Sequence, residues 1–249
     1  MEQLTVTILT KNAADTLAST LDSCRPFAEV LVFDTGSSDN TVDIAQKYSN
    51  VTVVHKPFQG FGPAHNEASR IAKFDWILSL DSDEVLSPEL VGEILSLPAD
   101  STKIYSIHRC NYFRNRWIRC CSGWYPDWNI RLFNRGKTQF TNDLVHETVL
   151  SDHLSVVSLS GKMFHTPYRS IEHLLMKMQT YSSLFAEQNA GKKRSSLSKA
   201  ILHGVSAFLK NYFLKRGFLG GKEGFIISLY NAQTTYYKYL KLAWRNNSL

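Results

Sequence analysis

Apolar and polar positions alternate in blocks along the first hundred residues. The β-branched run "LTVTILT" (Leu4–Thr10) predicts a strand, and "AADTLASTLDSC" carries apolar residues at helical spacing. A second strand is expected over Ala28–Asp34, closing in the turn chemistry of "TGSSDN". "TVDIAQKYS" reads as a helix, Val51–His55 as a strand, and "GPAHNEASRIAK" as a helix with Pro63 in its first turn. "DWILSLD" is a fourth strand and "SPELVGEILSL" a fourth helix, with Ser87 as N-cap and Pro88 at the first position. Regular strand–helix alternation predicts a parallel sheet covered by helices on both faces.

The pattern changes near Lys103. "KIYSIHR", "NIRLFNRG" and "HLSVVSLSG" read as strands of a mixed sheet. Residues 111–150 are otherwise rich in Trp, Tyr, Arg, Gly and Asn without helical periodicity. Three helical segments follow, at about 170–190, 195–216 and 223–245, the first two separated by "AGKKRSS". The expected organisation is a catalytic domain over residues 1–168 and a helical extension over 169–249.

In open parallel sheets, ligands bind beyond the carboxyl ends of strands. "TKN" (Thr10–Asn12), "DTGSSDN" (Asp34–Asn40) and "DSDE" (Asp81–Glu84) all fall there. Three carboxylates crowded at one strand end need a positive charge. An Asp-x-Asp pair suits a hard divalent cation, Mg²⁺ or Mn²⁺, with a diphosphate completing its shell. The competing explanation is that these acids sit favourably at the N-terminus of the helix from Pro88. Asp34 suits a base edge or ribose, or equally a turn in which it bonds its own backbone. Lys11 and Asn12 stand similarly.

Charge sharpens this picture. Of the 249 residues, 28 are Lys or Arg and 22 Asp or Glu, a net of +6. Residues 1–149 hold 14 basic and 18 acidic residues; residues 150–249 hold 14 and 4. The basic part favours an anionic surface such as a membrane or a phosphorylated acceptor. In "SSLSKAILHGVSAFLKNYFLKRG", Leu197, Ile201, Val205, Phe208, Leu209 and Tyr212 share a helical stripe flanked by lysines, as in helices that lie in a membrane interface or pack on a domain. No stretch approaches the ~18 apolar residues of a membrane span. The start "MEQLTVTILTKN" has an acid where a signal peptide is basic. Cys24, Cys110, Cys120 and Cys121 form no Cys-x-x-Cys pair, which argues against a zinc ribbon and for a reducing compartment. The expectation is a cytoplasmic protein, peripheral on the inner face of the cytoplasmic membrane. No nucleic-acid-binding signature is present, so nucleic acid is not an expected partner.

"VTILTKN", "VLVFDTGSSDNTVDIA", "GFGPAHNEA" and "DWILSLDSDEVLSPEL" together resemble glycosyltransferase family 2, inverting enzymes of the GT-A fold that use nucleotide-diphosphate sugars. "RNRWIR", "GWYPDWNIRLFNRG", "DLVHE" and "GFLGGKEGFIISLYNAQTTYYKYLKL" resemble the bacterial lipopolysaccharide core β-glucosyltransferases that add a hexose to inner-core heptose. Ser82 in "DSDE" stands where Ala is commoner.

The resemblance implies an α/β fold, a GT-A Rossmann-like mixed sheet with a C-terminal helical extension. It implies that Asp34, Thr10 and Asn12 contact uracil or ribose, and that Asn66 lies near the diphosphate or ribose. Asp83 would be the chief metal ligand, Asp81 would bind ribose or the metal shell, and His165 would reach the metal from a late strand. The implied partners are a nucleotide-diphosphate sugar, a lipid-linked or phosphorylated saccharide acceptor and an anionic membrane surface. Glucose as donor sugar rests on the resemblance alone.

Inverting transfer needs a carboxylate to take the acceptor proton. The candidates are Asp127, Asp143 and Glu147. The resemblance favours Glu147, with Asp127 second; His146 is placed to orient the base or the donor phosphate, or is a packed, hydrogen-bonded residue. Arg114, Arg116 and Arg119 suit an acceptor phosphate, and Trp124 and Tyr125 suit stacking on a sugar ring. Rival readings are a polyprenyl-phosphate or other cell-envelope glycosyltransferase, a metal-dependent phosphatase and a non-enzymatic membrane-binding module. In the phosphatases Asp-x-Asp usually follows the first strand; here it follows the fourth.

Overall fold

The computed structural model describes residues 1, 3–144, 147–168 and 170–247. Elements run in the order β1 (Leu4–Thr10), α1 (Leu17–Ser23), β2 (Glu29–Asp34), α2 (Thr41–Ala45), β3 (Val51–His55), α3 (Phe61–Ile71), β4 (Trp76–Asp81), β5 (Glu84–Leu86) and α4 (Pro88–Ser96). Then come β6 (Lys103–Phe113), β7 (Arg116–Trp117), β8 (Trp128–Asn134), β9 (Ser155–Tyr168), α5 (Ile171–Asn189), α6 (Leu197–Leu209) and α7 (Gly221–Arg245). A π-helical turn (Lys210–Leu214) and a 3₁₀ turn (Gly217–Gly220) join α6 to α7.

The sheet order is β3-β2-β1-β4-β8-β6-β9-β5, with β7 on β6. Strands β3, β2, β1 and β4 are parallel, as the strand–helix alternation predicts. β8 adds antiparallel to β4, which makes the sheet mixed. β1 is buried along its whole length, so its apolar run is continuous rather than alternating. Val6 and Ile8 pack with Leu17, Leu21 and Leu90 on one face. Leu9, Leu31 and Phe33 pack with Ala64 and Ala68 of α3 on the other.

Two compact units divide the chain: residues 1–109 with 128–165, and residues 110–127 with 166–249. Segment 110–127 therefore groups with the C-terminal helices, and the division falls at 165 rather than at the expected 168. The reason is apolar: Phe113, Ile118, Cys121 and Trp124 form one core with Leu174, Ile227 and Tyr230.

Ser87 caps α4, its hydroxyl accepting from the Leu90 amide at 3.2 Å, with Pro88 following. Behind that first turn passes β9, where Leu159, Gly161 and Met163 alternate inward. A Cβ on Gly161 would lie 2.4 Å from Leu90 Cα and 2.6 Å from its nitrogen. Backbone cannot step aside as a side chain does, so Gly161→Ala should lower stability by about 1–3 kcal/mol through overpacking. Denaturant unfolding measures this; unchanged stability would show that β9 and α4 separate freely.

Candidate active site at the strand ends

Register brings the three carboxyl ends together. Thr10 pairs with Asp34 across β1 and β2, and Leu9 pairs with Asp81 across β1 and β4. Asp34 and Asp81 therefore flank β1 about 10 Å apart, two strand spacings. The Thr10 hydroxyl is buried and has no hydrogen-bond partner among the described residues, an orphan polar atom at the mouth of the sheet. Asn12, at φ 51°, ties the two loops: its amide donates to Ser37 Oγ at 2.9 Å and its Oδ1 accepts from the Ser38 amide at 2.8 Å.

Asp34 accepts from the amides of Gly36 and Ser37, both at 3.2 Å, and lies 3.1 Å from His55 Nδ1. Burial alone would raise this carboxyl. The hydrogen bonds from Ser37, His55 and Gly36 outweigh it and hold it below the usual carboxylate value. Asp34 thus stays anionic and fixed, its orientation set by the turn that follows.

Two guanidiniums supply charge to the acidic strand end. Glu84 is fully buried; its Oε1 accepts from Arg131 at 2.7 Å and from Arg109 at 2.9 Å. Its Oε2 accepts from the Asp81 amide at 2.9 Å. Arg131 also donates to Asp81 Oδ2 at 2.8 Å, and Arg109 stands 3.8 Å from the same oxygen. Burial pushes the Asp81 carboxyl up, but Arg131, with His65 and Arg109, prevails and holds it well below the usual carboxylate range. The sequence reading assigned the compensating charge to a cation and overlooked Arg131, Arg109 and the role of Glu84. A charged residue inside the apolar "NIRLF" was the available signal.

Asp83 faces His165 instead, Oδ2 to Nε2 3.5 Å apart, because β5 pairs with β9 so that Glu84 is opposite His165. Among the described residues no three His, Cys, Asp or Glu side chains are grouped to hold a metal. Asp83 and His165 nonetheless fit Mg²⁺ or Mn²⁺, which bind through one or two protein groups and complete their shell with water and substrate phosphate. Asp81 is the weaker candidate, since Arg131 occupies its Oδ2.

Glu147 comes from the loop after β8, and α3 holds that loop in place. The Asn66 amide group donates to the Phe140 carbonyl at 3.0 Å and accepts from the Phe140 amide at 2.9 Å. Gly62 donates to the Asp143 carbonyl at 3.1 Å, and a Cβ there would sit 2.0 Å from the Thr141 carbonyl. Asn66, expected beside the diphosphate, thus also clamps the loop that carries Glu147. His65 is buried, stacks on Phe140 at 4.6 Å, bonds Ser79 through Nδ1 at 3.1 Å, and leaves Nε2 3.8 Å from Glu147. Burial lowers the imidazole to about 4, so it is neutral near pH 7 and makes no ion pair with Glu147. Burial raises the Glu147 carboxyl, with the Asp81 charge adding to the effect. His146 lies outside the described residues.

The other candidates belong to the second unit. Asp127 accepts from Asn111 Nδ2 at 2.7 Å. Arg116 donates to the Gly220 carbonyl and to Glu223, and Arg119 lies over the Trp117 ring at 4.0 Å. Trp124 is a correction: only 5% exposed, it packs against Phe113 and Tyr168 in the core and has no face to offer a sugar. Tyr125 remains exposed, edge-on to Trp117. Back in the first unit, a cavity of about 950 Å³ runs along α3, lined in part by Lys56, Asn66, Arg70, Arg135 and Asn142; Thr10, Asp34, Asp81 and Glu147 do not line it.

The profile of Glycosyl transferase family 2 matches residues 5–154. The chain belongs to that family. An uncharacterized glycosyltransferase of Rickettsia felis is 31% identical over all of this chain and 91% of its own length. LpsC of Rhizobium meliloti, a lipopolysaccharide core biosynthesis glycosyltransferase, is 25% identical over 92% of this chain and 87% of its own. S. aureus TarS 1-349, crystallised with UDP-GlcNAc, superposes with a TM-score of 0.51 at 15% identity, covering 99% and 92% of the two chains; it shows the shared GT-A-like fold. The family match spans every strand-end residue and Glu147, and stops before β9.

In this family 2 site, Arg131→Met leaves Glu84 buried without its closest counter-charge. That should cost about 3–5 kcal/mol in denaturant unfolding, with Arg131→Lys costing less. Asp81 is depressed in the folded state, so its contribution is present above the ordinary carboxylate value near ~3.9 and is lost as pH falls below it. Acid unfolding of Asp81→Asn should therefore be shallower than that of the wild type.

Proposed function

We propose that this family 2 glycosyltransferase moves a hexose, glucose from UDP-glucose, to an inner-core heptose of lipopolysaccharide, with inversion at the anomeric carbon. The observation that carries the reading is the meeting of two kinds of carboxylate in one unit. Asp34 and Asp81 are held anionic at the strand ends, while Glu147 is raised by burial and by the nearby Asp81 charge. The LpsC relative supports the acceptor class, and TarS, of the same fold, is a protein that binds UDP-GlcNAc.

Asp34, the orphan Thr10 hydroxyl and the Asn12 loop form the nucleoside end of the site. Asp83 and His165 would hold a divalent cation, which would supply positive charge for the departing diphosphate. Glu147 accepts the acceptor hydroxyl proton as that oxygen attacks the anomeric carbon from the face opposite the diphosphate. A carboxylate with a raised pKa is a stronger base, and the neutral His65 neighbour adds no counter-charge to it. Arg131 and Arg109 position Asp81.

Incubation with UDP-sugars, Mn²⁺ and a heptose acceptor, with release of UDP measured, tests the reading. Glu147→Gln should lower kcat by ~10²–10⁴-fold while donor binding persists. In the wild type, kcat/KM should fall as pH drops through the raised Glu147 pKa, at higher pH than for an ordinary carboxylate, and this limb should vanish in Glu147→Gln. Normal turnover in that variant alongside an inactive Asp127→Asn moves the base to Asp127.

Asp83→Ala should abolish turnover and keep the fold; full activity in EDTA removes the metal. A product with retained configuration removes the single displacement.

A further inference from the structure

Between Glu187 and Glu223 the chain has no acidic residue and carries Lys192, Lys193, Arg194, Lys199, Lys210, Lys215, Arg216 and Lys222. All eight are exposed. The same stretch exposes its apolar side chains. α6 turns Ala200 and Gly204 against α7, so closely that a Cβ on Gly204 would lie 3.1 Å from Tyr236 Cβ. Its other side presents Leu197, Ile201, Leu202, Val205 and Leu209 to solvent.

The patch continues past the helix. Phe213, Leu214, Phe218 and Leu219 on the following turns are also exposed, Leu202 at 69% and Leu214 at 78%. Ring contacts make it one surface: Tyr212 meets Phe213 at 5.2 Å, Phe225 at 5.9 Å and Phe218 at 6.3 Å, and Phe208 meets Phe225 at 6.0 Å. A contiguous exposed apolar patch of this kind marks an interaction site.

Charge selects the occupant. A second copy docked through the same face would set eight cations against eight, which repel. A sheet of anionic headgroups over an apolar layer matches both features at once, since lysines meet phosphates while leucines and phenylalanines enter the acyl boundary. No helix among the described residues is long and apolar enough to cross a membrane, so the contact is with the surface layer. We propose that the face of α6 and the two turns after it binds anionic lipid bilayers. This goes beyond the sugar-transfer reading and does not depend on it.

The test uses the full chain without sugar donor, sedimented with phosphatidylcholine vesicles and with vesicles also containing phosphatidylglycerol. Binding is expected only to the anionic vesicles and should weaken with salt, as screening shortens below ~8 Å. Leu202→Glu with Leu214→Glu should cut the bound fraction by about tenfold or more, since it removes apolar contact and adds repulsion. Both positions are exposed, so melting temperature and UDP release should match the wild type. Lys210→Ala with Lys215→Ala should weaken binding without altering the apolar contacts. Equal sedimentation with both vesicle types, or unchanged binding by the double glutamate variant, overturns the proposal. So does a wild-type dimer that ignores vesicles and that the glutamate variant dissolves, which assigns the face to a second copy.

Discussion

Glu84 is fully buried at the edge of the mouth of the sheet, and its charge is tolerated because Arg131 from β8 and Arg109 from β6 reach the same oxygen. Those two strands are neighbours in the sheet, and β8 is the strand that pairs with β4. The ion cluster therefore joins the parallel half, which ends in Asp81, to the antiparallel half, which supplies the guanidiniums. Such a cluster contributes less to stability than to arrangement, since desolvation offsets much of its attraction. What it does is fix register. A one-residue slip of β8 would turn Arg131 to the other face and leave Glu84 unpaired.

That register also governs the proposed base. β8 runs into the segment that returns through the Phe140–Val149 bridge to Glu147. α3 grips this segment with Asn66 on Phe140, His65 stacked on the same ring, and the Gly62 backbone against Asp143. The motif "GFGPAHN" thus has a mechanical reading: a glycine where a carbonyl passes 2.0 Å from any Cβ, then two side chains that hold the loop. The distance between the acid cluster and Glu147 is set by packed ring, amide and backbone contacts, and not by a flexible loop alone.

The parallel strands, their order in the chain and the strand-end residues were legible because apolar runs and turn residues are local signals. β5 was not. Its three residues are a strand only because β9, nearly eighty residues later, lies beside them, and nothing local encodes that pairing. For the same reason nothing local shows that Asn66 bonds the backbone of Phe140, seventy-four residues away. Trp124 shows the converse error: an aromatic among basic residues suggests a sugar platform, and only the core around Ile227 reveals that it is packing. Arg131 was hidden by its neighbours, because a lone arginine in a short strand suggests an exposed face until its partner carboxylates are located.

The uneven charge along the chain has two different physical origins. In the first half four acids gather where the sheet opens: Asp34 is held by hydrogen bonds in its turn, Asp81 and Glu84 by guanidiniums, and Asp83 stands beside His165. The guanidiniums balance Asp81 and Glu84 at the place where their charge arises. In the helical part the situation is the reverse. The eight cations between Gln188 and Lys222 have no carboxylate within their own stretch, and they stand beside apolar side chains that folding leaves in water. Exposing those side chains forgoes burial that is worth about 25 cal/mol per Å². Cations and exposed apolar side chains therefore share one face of the helical part, while the strand-end carboxylates lie in the other unit.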